Sequence, residues 1–125
     1  MMQHDILFRG RDVKTHKWVQ GSYIRRERPC IEHWEIASDG VPEPFISEVE
    51  PDTLGMYFGL HDVAGKRIFE GDLITILDSS KQGLPGVVHW YRLSCTFAIT
   101  RQGFNPIPLD GEDAKYLIIG NVFDE

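Results

Sequence analysis

Between Asp62 and Asp72 the chain reads Asp-Val-Ala-Gly-Lys-Arg-Ile-Phe-Glu-Gly-Asp, two glycine reversals separated by four residues. Each glycine sits where a backbone turn, and not a reaction, needs it. Asp62-Val63-Ala64-Gly65 fits a type I turn, with aspartate first, where it can hydrogen-bond the turn's own backbone, and glycine fourth. Lys66 to Phe69 then runs into Glu70-Gly71-Asp72, a tight reversal that launches Leu73 to Leu77, whose β-branched and leucine content reads as a buried strand.

The same period-2 grammar extends along the chain, and no 3.6-residue apolar period holds over eleven or more residues. Ile6 to Arg11 and Trp18 to Ile24 read as strands joined by the polar Lys14 to Lys17 loop. In the second, Trp18, Gln20, Ser22 and Ile24 share one side, and Val19, Gly21 and Tyr23 the other. Ile31 to Ala37 and Pro44 to Val49 flank a Ser38-Asp39-Gly40 turn as a second hairpin, in which Pro42 and Pro44, lacking donors, belong at an edge or in a loop. Pro51 to Gly55 reads as a short helical turn. Val87 to Tyr91 and Thr96 to Thr100 form a further pair, Pro106 to Asp113 a proline- and acid-rich loop, and Tyr116 to Phe123 a closing strand. The expected class is mainly β. Residues 1–50 form an amino-terminal β-hairpin part, and residues 51–125 a small, strongly bent sheet that closes as an SH3-like barrel to hide its edges.

Tyr57 to Ile74, read as Tyr-Phe-Gly-Leu-His-Asp-x-x-Gly-Lys-Arg-Ile-Phe-Glu-Gly-Asp-Leu-Ile, resembles the signature of the YopX family of small phage and prophage proteins. Ile6-Leu7-Phe8-Arg9-Gly10, Trp18-Val19-x-Gly-Ser22, Pro51-x-Thr53-Leu54-Gly55 and Ile119-Gly120-Asn121-Val122-Phe123 resemble other parts of that family in the same order. Phe58 stands where the family commonly has threonine. The resemblance implies a β-rich amino-terminal part joined to an SH3-like barrel, an origin in a mobile element, and no assigned activity.

Composition narrows the chemistry. A 125-residue chain with 42% hydrophobic and 26% charged residues can bury a core without staples, and no apolar run approaches the ~20 residues of a membrane-spanning helix. The start lacks a charged region followed by an apolar stretch, so the cytoplasm of a bacterial host is the expected location. Two cysteines, Cys30 and Cys95, fit a reducing compartment and core positions. Cys30-x-x-His33 lacks a second close ligand pair among His61, His89 and Cys95, and its members point to opposite strand faces, so a core cysteine beside a surface histidine is the expectation. No metal or other cofactor is called for. No Gly-x-Ser-x-Gly elbow, phosphate loop or dinucleotide fingerprint occurs. Glu70 and Asp72 flank a corner, where Asp72 suits loop amides better than acid catalysis. No enzymatic activity and no small-molecule substrate are expected.

Charge is unevenly laid out. Arg9, Arg11, Lys14, Lys17, Arg25, Arg26 and Arg28 stand against Asp12 and Glu27, giving +5 over residues 9–28, whereas the remainder carries -11. Such asymmetry can pair one copy with another or steer a charged partner. A non-enzymatic interaction module, self-associating or binding another protein, is the first expectation. Nucleic-acid binding through Arg9, Arg11, Lys17, Trp18, Arg25, Arg26 and Arg28 is the second, opposed by the acidic remainder.

Overall fold

A computed structural model describes residues 6–77, 85–91, 96–100, 107–108 and 116–123, and these described residues form eleven strands and one 3-10 turn. The strands are β1 (Phe8–Arg11), β2 (Trp18–Arg25), β3 (Pro29–Ile36), β4 (Pro42–Glu48), β5 (Gly55–His61), β6 (Arg67–Phe69), β7 (Asp72–Ile76), β8 (Gly86–Tyr91), β9 (Thr96–Thr100), β10 (Ile107–Pro108) and β11 (Tyr116–Asn121). The turn, Pro51–Thr53, is the short helical element expected there, with proline at its start. Cys95 and most of the Pro106 to Asp113 loop lie outside the described residues; within that loop, Ile107–Pro108 is a two-residue strand paired with β9.

All pairings are antiparallel. Hydrogen bonding joins β4-β3-β2-β1-β5-β6 in one order and β10-β9-β8-β7-β11 in another, and among the described residues neither series closes. The expected SH3-like barrel is therefore corrected to open sheets. The cause lies in how β5 is used: its first residues, Gly55 and Met56, pair with β1, and its later ones, Tyr57 and His61, pair with β6.

The chain divides into compact units Met1–Met56 and Tyr57–Glu125. In the first, Ile31 and Val49 are fully buried beside Cys30. In the second, alternation builds the core: Asp72, Ile74 and Ile76 of β7 point inward between half-buried Leu73 and Thr75. Leu60, Ile68, Val88, Ile99 and Tyr116 complete it.

Both glycine reversals form as read. Gly65 N–H donates to the Asp62 carbonyl at 3.0 Å, and Gly71 has φ 92°. Gly71 N–H donates to Val88 O at 2.8 Å, while its carbonyl accepts Val122 N–H at 3.0 Å, so the corner is tied to β8 and to the end of β11. A Cβ there would lie 2.7 Å from Phe123 Cε2. Gly71→Val is expected to cost about 2–3 kcal/mol through positive-φ strain and overpacking. Denaturant titration of the variant checks this, and an unchanged midpoint would refute the role given to the corner.

Candidate interaction surface

The acids of the 62–72 segment are engaged with backbone. Asp62 is 3% exposed; its Oδ1 accepts Ala64 N–H and Lys66 N–H, both at 2.9 Å, and its Oδ2 accepts Ile118 N–H at 3.2 Å. Burial works to raise this carboxyl, but the N–H donors of Lys66, Ile118 and Ala64 overcome it and hold the pKa below the ordinary aspartate value. Asp72, 1% exposed, accepts Phe69 N–H at 2.8 Å. The His61 ring sits edge-on to Tyr57. Among the described residues no group of three or more His, Cys, Asp or Glu side chains is arranged to hold a metal ion.

Of the residues singled out in the sequence, the fold gathers Arg9, Arg11 and Trp18. Arg9 and Arg11 lie two apart on one face of β1, and Arg11 is in register with Trp18 of β2. Their guanidinium carbons stand 4.7 and 5.9 Å from the Trp18 ring centroid, a double cation–π stack. Arg9 is only 9% exposed, and Arg11 Nε donates to Glu50 Oε2 at 2.5 Å. Arg28 faces Glu48 at 3.4 Å. Lys17, Arg25 and Arg26 are exposed and do not join the stack. The basic segment is thus partly an internal stack.

A different surface stands out. β2 pairs with β3 only from Ser22↔Glu32 to Arg25↔Pro29, whereas β3 pairs with β4 from Cys30↔Glu48 to Ile36↔Pro42. Beyond Glu32, therefore, β3 and β4 form a two-stranded ribbon. Opposite residues share a face, so Ile36/Pro42, Trp34/Pro44 and Glu32/Ile46 line one side. Trp34 and Ile36 are 64% and 75% exposed, and Ile46 is 47%. On the other side the His33 and Phe45 rings stack with centroids 6.2 Å apart. His33, expected at the surface, has a side chain only 11% exposed; Nε2 lies 2.8 Å from Ser47 Oγ and Nδ1 3.4 Å from Glu35.

Sequence reasoning named these strands but not this face. The signal was available: β3 is Pro-Cys-Ile-Glu-His-Trp-Glu-Ile, apolar at odd position 31 and again at even positions 34 and 36. A strand apolar in both phases has apolar residues on both sides; at its base both Cys30 and Ile31 are buried, whereas beyond Glu32 Trp34 and Ile36 stand exposed.

At the ribbon's base a cleft of about 580 Å³ is lined in part by Asp12, Lys14, Arg26, Arg28, Ile46 and Glu48. Asp12 accepts the N–H groups of Thr15 (3.0 Å) and Lys14 (2.7 Å), and these bonds lower its pKa.

The molecule these features define is a mainly β protein of open antiparallel sheets, with an unpartnered apolar ribbon. The profile of the YopX protein family matches residues 7–125, and the chain belongs to that family. No curated protein matches it. Among the described residues no helix is long and apolar enough to cross a membrane.

Proposed function

We propose that this YopX-family chain is a phage-type, non-enzymatic protein-interaction module of the bacterial cytoplasm, and that the β3–β4 ribbon face is its contact surface. One observation carries the reading: Trp34, Ile36, Pro42, Pro44 and Ile46 form a contiguous exposed apolar face on a two-stranded ribbon. Isolated two-stranded ribbons are marginal in water, and exposed contiguous apolar surface marks contact sites.

The second reading, nucleic-acid binding, draws on the exposed cations Lys17, Arg25 and Arg26. It is weakened by the enclosure of Arg9 and Arg11 around Trp18 and by the carboxylates beside Arg11 and Arg28.

A photo-crosslinking side chain at position 36, expressed in bacterial cells, tests the first reading against a control at exposed Lys66. Protein adducts at position 36 and not at 66 are expected. Absence of protein adducts, or adducts to nucleic acid, would refute it. Trp34→Ser is expected to reduce adduct yield several-fold while leaving the unfolding free energy within about 0.5 kcal/mol, as for exposed sites generally.

A further inference from the structure

Resting on the reading of the ribbon as a protein contact, we propose that the partner docks by strand addition. An extended segment of another protein, its apolar residues alternating with lysine or arginine, pairs with the open edge of β3 from Trp34 to Ile36.

That edge follows from the ladder. Ala37 N–H donates to Val41 O and Val49 N–H to Pro29 O, both at 3.0 Å, so the odd positions of β3 and β4 bond to each other. By alternation the even positions of β3 turn their N–H and C=O groups toward β2. Cys30 and Glu32 meet Ile24 and Ser22 there. β2 changes partner at Gly21, which is in register with Phe8, and among the described residues no strand pairs with Trp34 or Ile36 on that side. Both residues are exposed, and together they present two donors and two acceptors along an open edge.

The ribbon's other edge is closed. On β4 the same alternation turns the nitrogens of Pro42 and Pro44 outward, where neither has an N–H to offer. Toward the base, Val13 N–H donates to Glu48 O at 3.0 Å beside an Asp12↔Val49 bridge. Proteins blunt unused strand edges in this way. The open stretch of β3 carries no proline, which leaves it for strand addition, where main-chain hydrogen bonds supply affinity and alternate side chains supply specificity.

The two sides of the ribbon ask for different side chains. On one, Trp34/Pro44 and Ile36/Pro42 are exposed and favour apolar neighbours. On the other, Glu35 and Glu43 stand opposite each other, both exposed, a like-charge pair that a neighbouring cation relieves. Residues 29–48 contain five acids and no lysine or arginine of their own. In an antiparallel pairing, like every other in the described residues, the residue opposite Glu35 falls in a non-hydrogen-bonded pair, where side chains approach most closely. A lysine or arginine there meets Glu35, and the apolar residues on either side of it meet Trp34 and Ile36.

A second copy of β3 does not suit the edge. Centred on Glu35, the pairing sets that carboxylate against its own copy; centred on Trp34, it needs the groups of Glu32 that Ser22 already holds; centred on Ile36, it needs Ser38, which lies in the turn.

Amide exchange followed by NMR on the full chain, with a short capped peptide alternating valine and lysine as the probe, tests the pairing. Without peptide, the amides of His33 and Glu35 are expected to exchange slowly and those of Trp34 and Ile36 fast. Peptide should protect Trp34 and Ile36. N-methylation at the peptide's valines should weaken binding about tenfold or more, the loss expected when main-chain hydrogen bonds go unmade, and N-methylation at its lysines should not. Ile36→Pro removes an outward N–H without touching the β4 ladder, so it should weaken binding with an unchanged circular dichroism spectrum. Glu35→Lys with Glu43→Lys should switch the preference to a peptide alternating valine and glutamate.

Slow exchange at Trp34 and Ile36 without peptide, no protection when it is added, or equal binding of the lysine and glutamate peptides by the wild type would overturn the proposal. The photo-crosslink at position 36 separates this failure from that of the underlying reading. An adduct to another protein without peptide protection removes strand addition and leaves the contact surface standing. An adduct only at twice the chain mass overturns the choice of partner, and no protein adduct removes both.

Discussion

Gly21→Ala is expected to destabilise the first unit by about 3–5 kcal/mol, because its added Cβ would make the closest approach found at any of the described glycines. Gly21 lies in β2, where pairing passes from β1 to β3: it is in register with Phe8, and the next residue, Ser22, is in register with Glu32. A Cβ built there would meet the Glu32 carbonyl oxygen at 2.0 Å and the Ile31 side chain at 3.2 Å. The obstacle is backbone, not the end of a flexible side chain, so relief requires β3 to move away from β2. That movement would disturb Ile31, which is fully buried, and the point from which the ribbon departs. Denaturant unfolding is the check, and a midpoint equal to the wild type's would show that the strands do not approach so closely. Because the strain falls at the root of the ribbon, the variant should also lose the adduct at position 36.

Asp62→Ala is the second large effect, about 3–4 kcal/mol, because it strips acceptors from three N–H groups at once. Hydrogen bonds to a charged acceptor contribute about 1.5–3 kcal/mol each, and shared ones do not add in full. The Ile118 bond matters most for the fold, since it joins residues 56 apart and holds β11 to the Asp62 turn alongside Val63 N–H to Tyr116 O at 2.8 Å. The pH dependence has a definite sign. The Asp62 pKa is lowered in the folded protein, so the unfolded state binds more protons in the acid range. The contribution is complete above the unfolded value of about 3.9 and is lost as pH falls through the folded pKa. Wild-type stability is therefore expected to fall more steeply than that of Asp62→Asn as pH is lowered from 5 to 3. Parallel curves would refute the role of the ionised carboxylate. Asparagine retains one oxygen for the turn but presents either that oxygen or an N–H₂ to Ile118, so it should be less stable than wild type at pH 7.

The turns were the most legible part of the molecule in the sequence. Gly40, Gly65 and Gly71 all have positive φ, and each falls in a reversal inferred from its neighbours alone. Local chemistry suffices there, because a left-handed residue beside aspartate constrains four residues without reference to anything distant. The paired runs followed from alternation for the same reason, since a period of two is a property of the strand itself.

Closure was not legible. Whether a bent sheet meets its own far edge depends on which strand β5 pairs with, and Gly55 and Met56 turn to β1, a partner nearly fifty residues earlier. The candidate surface was half legible. Counting charges located the basic segment, but only packing shows Arg9 and Arg11 folded around Trp18. The two apolar phases of β3 are in the sequence, while the place where β2 stops covering β3 is not.

By itself, then, the sequence determined the mainly β class, the positions of the reversals, and the opposed charges of residues 9–28 and of the remainder. Each follows from spacing between near neighbours or from composition. The tertiary structure decided that the sheets stay open, that Asp62 is a clasp to β11, and that Trp34 and Ile36 face outward on a ribbon. Those outcomes rest on contacts between residues far apart in the chain. A residue's burial is set by what lies across from it, and no local pattern specifies that neighbour.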